Sequence, residues 1–342
     1  MKAMAIEKIS DLSKDKEALK AVDIPVPEPS ENQVLIHISA CGVCRTDIDE
    51  IEGRTPPLKF PVIPGHQVIG RVEKSGKSAR IFREGDRVGV GWIFRTCGRC
   101  KYCLGGNENL CESFMATGRD ADGGYAEYMV VDENFAYPVP GVFSDTEAAP
   151  LLCAGAIGWR CLRLSGMKNG EILGLYGFGA SGHIVIQAAK YLYPDSEIYV
   201  FTRSQEEQKL AIRLGASWAG NIPDRSPQPL DAAIDTTPAW FPVICALKNL
   251  GRAGRLIINA IRKESKDKNA LYGIEYESHL WLEKEIKTVA NVSRRDISEF
   301  LQTAAKILIK PEVTIYHLHE ASKALWDLKQ GGLPGAKVLV MR

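Results

Sequence analysis

The chain has no apolar run long enough to cross a bilayer. Its uncharged stretches, such as 148–159, fall short of the roughly 18 residues a spanning helix needs. The amino terminus reads MKAMAIEKIS and lacks the apolar core of a secretory signal, so the expectation is a soluble, cytoplasmic protein without a membrane partner. Neither sign of charge is in excess: 43 Lys plus Arg against 42 Asp plus Glu leave a formal charge of +1, and no global field recruits nucleic acid. Internal repeats and low-complexity tracts are missing too. Cysteine is scarce for a disulfide scaffold, with nine residues, an odd number, in 342. What remains is a composition at the globular average, 45% hydrophobic and 25% charged, with length for about two domains.

The cysteines matter through their spacing. Cys97, Cys100, Cys103 and Cys111 form C-x2-C-x2-C-x7-C in a Gly- and Asn-containing segment. Four thiolates that converge with no open position suit a closed, structural zinc site. An iron–sulfur cluster is the rival reading, and it predicts a brown protein where zinc predicts a colourless one. A set of buried free thiols is the third reading.

Short β-rich segments at 33–39 and 68–73, separated by proline-rich connections, indicate a β-rich first domain. From about residue 171 the texture becomes strand, glycine turn, helix, strand, helix, as in a parallel α/β unit. Strands are expected at 171–176, 197–202, 232–235, 256–259 and 288–292, and helices at 181–191 and 205–214. The tail carries expected helices at 298–309 and 321–328 and a last strand at 338–341, which returns to the first domain.

Between the first α/β strand and its helix, Gly177-Phe178-Gly179-Ala180-Ser181-Gly182 fits G-x-G-x-x-G. In this context the pattern predicts a dinucleotide site: Gly177 makes the tight turn, Gly179 admits the pyrophosphate, and Gly182 lets helix and sheet pack closely. An acidic residue at the end of the second strand would select an unphosphorylated ribose. This chain has Thr202, Arg203 and Ser204 there, which favours NADP(H), with Arg203 as a clamp on the 2′-phosphate. The alternative is an ordinary surface arginine beside a Thr202 that tolerates NAD(H).

Cys41-Gly42-Val43-Cys44-Arg45-Thr46-Asp47, then Gly65-His66-Gln67, and later Pro150-Leu151-Leu152-Cys153-Ala154-Gly155 complete the set. With the four-cysteine lobe, G-G-Y-A-E-Y and the glycine fingerprint in the same order, the whole chain resembles the zinc-dependent medium-chain alcohol dehydrogenases. The resemblance implies a GroES-like β-rich catalytic domain, 1–150 with 295–342 and a zinc lobe at about 95–112. It implies a Rossmann-type doubly wound parallel sheet domain over 151–294. It also implies two zinc ions per chain and a homodimer or homotetramer.

By the same resemblance Cys44, His66 and Cys153 would hold the catalytic zinc, a donor set that leaves one position open. Asp47 would orient His66, Thr46 would take the proton of an alcohol, and Arg45 would contact the pyrophosphate. Hydride would pass between a primary or medium-chain alcohol, or its aldehyde, and the nicotinamide. Trp92 would line the substrate channel. Cys41, Cys161 and Cys245 lie outside both metal sets and read as buried structural cysteines. Four positions depart from the family pattern: Gln67 replaces a glutamate behind the zinc, Asp49 a histidine of the proton relay, Ile157 a threonine, and Thr55 a large aromatic at the pocket. Cys153 as third ligand, where polyol enzymes often carry glutamate, argues for simple alcohols. A polyol or sugar dehydrogenase, or an NADPH-binding regulator without turnover, are the alternatives.

Overall fold

The computed structural model describes residues 1–331 and 334–341. The chain divides into two compact units, Met1–Ala156 with Val292–Arg342, and Ile157–Asn291.

The first unit is built on a seven-stranded mixed sheet. Its path runs Val313–His317, Ala336–Val340, Gln33–Val43, Val68–Ser75, Arg87–Val90 and Ala136–Pro138, and Tyr128–Asp132 also pairs with Gln33–Val43. Val34, Ile36 and Ile38 from the long central strand are buried together with Val68, Val72, Val88 and Val131, the period-2 alternation of a strand with one face on a core. The strand at Ala336–Val340 comes from the tail and pairs antiparallel with Gln33–Val43, placing Leu339 opposite Cys41. The expected return of the chain end to the first unit is therefore realised as sheet pairing.

The second unit carries a six-stranded, all-parallel sheet. Across it the strands lie in the order Trp218–Gly220, Ile198–Phe201, Leu173–Tyr176, Leu230–Asp235, Leu250–Ile258, Glu285–Thr288. Numbered within the unit this is 3-2-1-4-5-6, the doubly wound Rossmann order, whose direction reverses between the first and fourth strands. The inner strands LGLY and IYVF are buried along their full length, as a sheet covered on both faces requires.

Three expected elements shift. The fifth strand of the parallel sheet, expected at 256–259, already begins at Leu250 and runs to Ile258. The sixth strand is Glu285–Thr288, earlier than the expected 288–292. It is an exposed edge strand whose charged residues hide it from a hydrophobicity reading, while the apolar Val289 and Val292 are buried in the connection that follows. The helix expected at 298–309 is Arg294–Ile307. Ser293 caps it, with the Asp296 carboxylate accepting the Ser293 N–H at 2.9 Å, and Leu308 ends it in the left-handed conformation at φ 55°. The pattern locates the apolar face, but the cap sets the start. Among the described residues no helix is long and apolar enough to cross a membrane.

Candidate active site and metal centres

Antiparallel pairing creates the first centre. Strand Gln33–Val43 ends where strand Val68–Ser75 begins, with Cys41 opposite Val68 and the Gly42 N–H donating to the Gln67 carbonyl at 2.9 Å. Cys44, just past one strand end, and His66, just before the other strand, therefore meet. A helical turn, Ala149–Leu152, then delivers Cys153. The donor atoms of Cys44, His66 and Cys153 lie within 4.8 Å of one another. Gly65 makes the approach possible: its φ is +98°, and a Cβ there would lie 2.3 Å from the Tyr125 ring.

Asp47 braces this triad. Cys44 is the N-cap of helix Arg45–Ile51, and the Asp47 carboxylate accepts the Cys44 N–H at 2.8 Å. The same carboxylate accepts the Tyr125 hydroxyl at 2.8 Å and stands 3.1 Å from His66 Nδ1. Asp47 and His66 are both fully buried. Both imidazole nitrogens are buried without a hydrogen-bond partner; Nδ1 lies beside the Asp47 carboxylate, which leaves Nε2 to offer a lone pair. Two thiols and an orphaned imidazole nitrogen at this separation fit a metal ion of the zinc type, with three protein donors and one open position. Without the ion, hydrogen bonding from Cys153 holds the Cys44 thiol well below its usual range, against the opposing effect of burial. The same bond pushes the Cys153 thiol up, and burial adds to it.

Of the other expected site residues, Thr46 and Trp92 touch the triad, and Gln67 follows His66 in the chain. Thr46 is buried, its hydroxyl 3.6 Å from Cys44 Sγ. Trp92 is buried and stands edge-on to the His66 ring at 4.8 Å, with the Arg119 guanidinium 5.7 Å from its own ring. The buried Gln67 packs against Gly42, where a Cβ would come within 2.9 Å of its side chain. Asp49 is bound by Arg54, whose Nε donates to it at 2.6 Å, and burial raises its carboxyl to about 6 against that arginine's pull. Thr55 is buried as well, while Arg45 is half-buried at the first helical position. Ile157, the first residue of the second unit, is buried in helix Ala154–Ser165.

One buried acid of this helix escapes a sequence reading. Glu50 has no solvent exposure, and neither carboxylate oxygen has a hydrogen-bond partner. Burial, then the Asp47 charge, push its carboxyl well up. Its signal is the i, i+3 spacing from Asp47, which places both acids on one helix face.

The second centre is the four-cysteine lobe. Cys100 Sγ is 3.6 Å from Cys103 Sγ, which is 3.9 Å from Cys97 Sγ, and all four sulfurs lie within 4.8 Å of one another. Four sulfurs each about 2.3 Å from one tetrahedral ion would be about 3.8 Å apart, so the lobe fits a single zinc-type ion. In a four-iron cluster each thiolate takes a different iron, which demands wider spacing. The N–H groups of Arg99 and Cys100 lower the Cys97 thiol to about 6, while burial raises Cys111 to about 11. Glu108, buried between Cys103 and Cys111 in the chain, accepts the Arg294 N–H at 2.8 Å and Nε at 3.0 Å, fixing the lobe to the helix Arg294–Ile307. Cys41 and Cys161 are buried as expected, whereas Cys245 is only half-buried.

In the second unit the glycine turn follows strand Leu173–Tyr176 and opens helix Gly182–Leu192. Gly177 has φ +85°, and a Cβ there would lie 2.8 Å from Thr236 Oγ1. Around Gly179 the space is open, as a cradle for a phosphate requires, with Ala180 and Ser181 leading into the helix N-terminus. Thr202 and Ser204 follow strand Ile198–Phe201, and Arg203 between them is exposed. The fold adds a residue here: Glu207 reaches back from helix Gln205–Arg213, where Ser204 is the N-cap, and accepts a hydrogen bond from the Thr202 hydroxyl. An acid thus stands at the end of the second strand although residues 202–204 contain none.

A doubly wound sheet with an open glycine turn, in a chain that also carries a braced Cys–His–Cys triad and a four-cysteine lobe, defines a two-unit dehydrogenase. Residues 30–141 match the alcohol dehydrogenase GroES-like domain family. A probable alcohol dehydrogenase AdhA of Mycobacterium tuberculosis is 43% identical over 96% of this chain and 94% of its own length. Among solved structures, a cobalt- and zinc-bound thermostable alcohol dehydrogenase of Pyrobaculum aerophilum superposes with a TM-score of 0.86 at 26% identity, covering 100% of this chain and 99% of that one. The Helicobacter pylori CAD complexed with NADP(H) gives 0.86 at 25% identity, covering 99% and 97%. The chain belongs to the zinc-dependent medium-chain alcohol dehydrogenase family.

Proposed function

We propose that this protein oxidises a small primary or medium-chain alcohol to its aldehyde, and runs the reverse reduction, with a nicotinamide dinucleotide as hydride carrier. The observation that carries the reading is the Cys44, His66 and Cys153 donor set braced by buried Asp47. When bound there, zinc supplies a Lewis acid that polarises the substrate oxygen and makes an alcohol more acidic. The four-cysteine lobe, with no open position, takes a second, structural ion.

The chain's own groups do the rest. Asp47 fixes the His66 tautomer through Nδ1, and Tyr125 and the Cys44 N–H keep that carboxylate in place. Thr46 would take the proton of the alcohol hydroxyl at Oγ1 as its own hydroxyl proton passes on, and a bound nicotinamide would accept the hydride from the alcohol carbon. Asp49, one helical turn on, titrates near 6 and can hold and release that proton close to neutrality. Trp92 walls the imidazole against water. By the family resemblance Arg45 would contact the cofactor pyrophosphate; within the second unit, the turn from Gly177 to Gly182 offers a cradle for a phosphate.

Arg203 favours NADP(H) over NAD(H) through a charge-assisted clamp on the 2′-phosphate, opposed in part by Glu207. Thr55 and Ile157 are the residues the family resemblance assigns to the substrate pocket, and Gln67 is neutral where the family carries a glutamate. The reading includes a cytoplasmic homodimer or homotetramer. NADPH oxidation by metal-replete protein with a panel of aldehydes tests it. Turnover of short or aromatic aldehydes is expected. Activity on sugars alone would reassign the chain to the polyol enzymes, and no activity with any carbonyl would make it an NADPH-binding regulator.

A further inference from the structure

Beyond the glycine turn, the second unit contains an ion pair that no step above uses. Asp235 ends the fourth strand and is completely buried, and Lys263, from the segment after the fifth strand, reaches it with a side chain only 7% exposed. Lys263 Nζ donates to the Asp235 carboxylate and, at 2.8 Å each, to the carbonyls of Thr237 and Ala239. Asp235 in turn accepts the Thr237 hydroxyl at 2.7 Å and its N–H at 3.0 Å. Three more bonds tie the same segments together: Glu264 N–H to the Pro238 carbonyl at 2.8 Å, and the Trp240 and Phe241 N–H groups to the Asp267 carboxylate at 2.9 Å each. Loop 236–239 is thus held by a buried cation that spends all three of its protons on it and on Asp235.

The held loop is a wall of the glycine turn. The Thr236 N–H donates to the Tyr176 carbonyl at 2.9 Å, and its hydroxyl lies 3.1 Å from that carbonyl and 3.4 Å from the Gly177 carbonyl. A Cβ on Gly177 would meet Thr236 at 2.8 Å and Thr237 at 3.0 Å. The first and fourth strands are where the sheet order reverses, and ligands of such sheets bind in the crevice beyond the strand ends at that point. A buried charge pair is weak as a source of stability but strong as a geometric constraint.

We infer that Lys263 is a positioning residue for the dinucleotide: through Asp235 and the Thr237 and Ala239 carbonyls it sets loop 236–239 against Gly177 and so pre-forms the crevice. This rests on the reading of the glycine turn as the cofactor site. Because the loop walls the part of the site common to both dinucleotides, its loss weakens NADPH and NADH alike. The 2′-phosphate group, which Arg203 addresses, is not involved.

The test is fluorescence titration of the purified full-length protein with NADPH and with NADH. It compares the native chain with Lys263→Met, Lys263→Arg and Thr237→Val, well below each variant's separately recorded melting temperature. Lys263→Met is expected to raise both dissociation constants about tenfold, leaving their ratio unchanged, the effect of losing hydrogen bonds to a charged group. Lys263→Arg restores part of it. Thr237→Val, which keeps the ion pair and loses one tie, weakens both severalfold and stands in if Lys263→Met does not fold. Dissociation constants within twofold of native in the foldable variants, even with a lowered melting temperature, would make the pair merely structural and overturn the inference. If the native chain binds neither dinucleotide, the cofactor reading itself fails and takes the inference with it.

Discussion

Asp49 shows how a single side chain acquires a role from its surroundings. A free aspartate titrates near 4, whereas this one is buried and titrates at about 6 despite Arg54. The folded state therefore holds the proton to higher pH than the unfolded chain, and the contribution of Asp49 to stability falls as pH rises from about 4 to about 6. Asn at this position does not titrate. Relative to the native protein, Asp49→Asn should gain stability across that window by at most about 3 kcal/mol and then level off. Denaturant melts from pH 4 to 7 read this directly, and parallel pH profiles would show that Asp49 does not titrate there. If the end of the second strand holds the cofactor ribose as proposed, Arg203 and Glu207 should pull in opposite directions. Arg203→Ala should lower the NADPH-to-NADH ratio of kcat/KM about tenfold, and Glu207→Gln should raise it about fivefold by removing a nearby negative charge. Shifts of the same sign would refute the pairing of roles.

Among elements, the four-cysteine lobe and the Cys44 triad differ in openness, and that difference is testable. A closed set of four thiolates exchanges its ion slowly, while three donors with an open position exchange faster. Elemental analysis of freshly purified protein should give two zinc ions per chain. Brief chelation should remove one of them together with the activity, and the ion retained should be lost on Cys103→Ser. A single ion at the outset, or parallel loss of both, would contradict the division into open and closed centres. The helix Arg45–Ile51 illustrates what a motif conceals: Asp47 was legible as the partner of His66, but Glu50 was not. Nothing in the residue string says that this short helix is buried nearly all round; only packing in the first unit makes Glu50 a solvent-free acid.

For the molecule as a whole, the two units differ in how their chain is sourced. The Rossmann sheet takes all six strands from one continuous stretch, whereas in the first unit the tail strand Ala336–Val340 covers the 40–43 end of Gln33–Val43, whose 33–37 end pairs with Tyr128–Asp132. A fragment spanning 154–291 should therefore fold cooperatively and bind NADPH. A fragment spanning 1–156 should not fold, because the 40–43 end of its central strand would be left unpaired and its core would lose Tyr316, Leu325 and Leu339 from the tail. Circular dichroism melts and NADPH titration of the two fragments check this. A cooperative melt of 1–156 would show that the tail strands are dispensable.

The sequence by itself determined the fold class, the four-cysteine lobe and the glycine turn, since each depends on residue type at fixed local spacing: period-2 and helical patterning, cysteine intervals, strand–glycine–helix order. Cys44, His66 and Cys153 are far apart in the chain and were legible only through the family resemblance, and the fold brings their donor atoms within 4.8 Å of one another. The sequence could not place the sixth strand, whose alternating charges mimic a loop, nor the start of Arg294–Ile307, which a cap rather than an apolar residue decides. Glu207 beside Thr202, Glu50 among the buried acids and Lys263 on Asp235 arise from groups brought together by folding. Their chemistry depends on distance and burial, and those are properties of the tertiary structure alone.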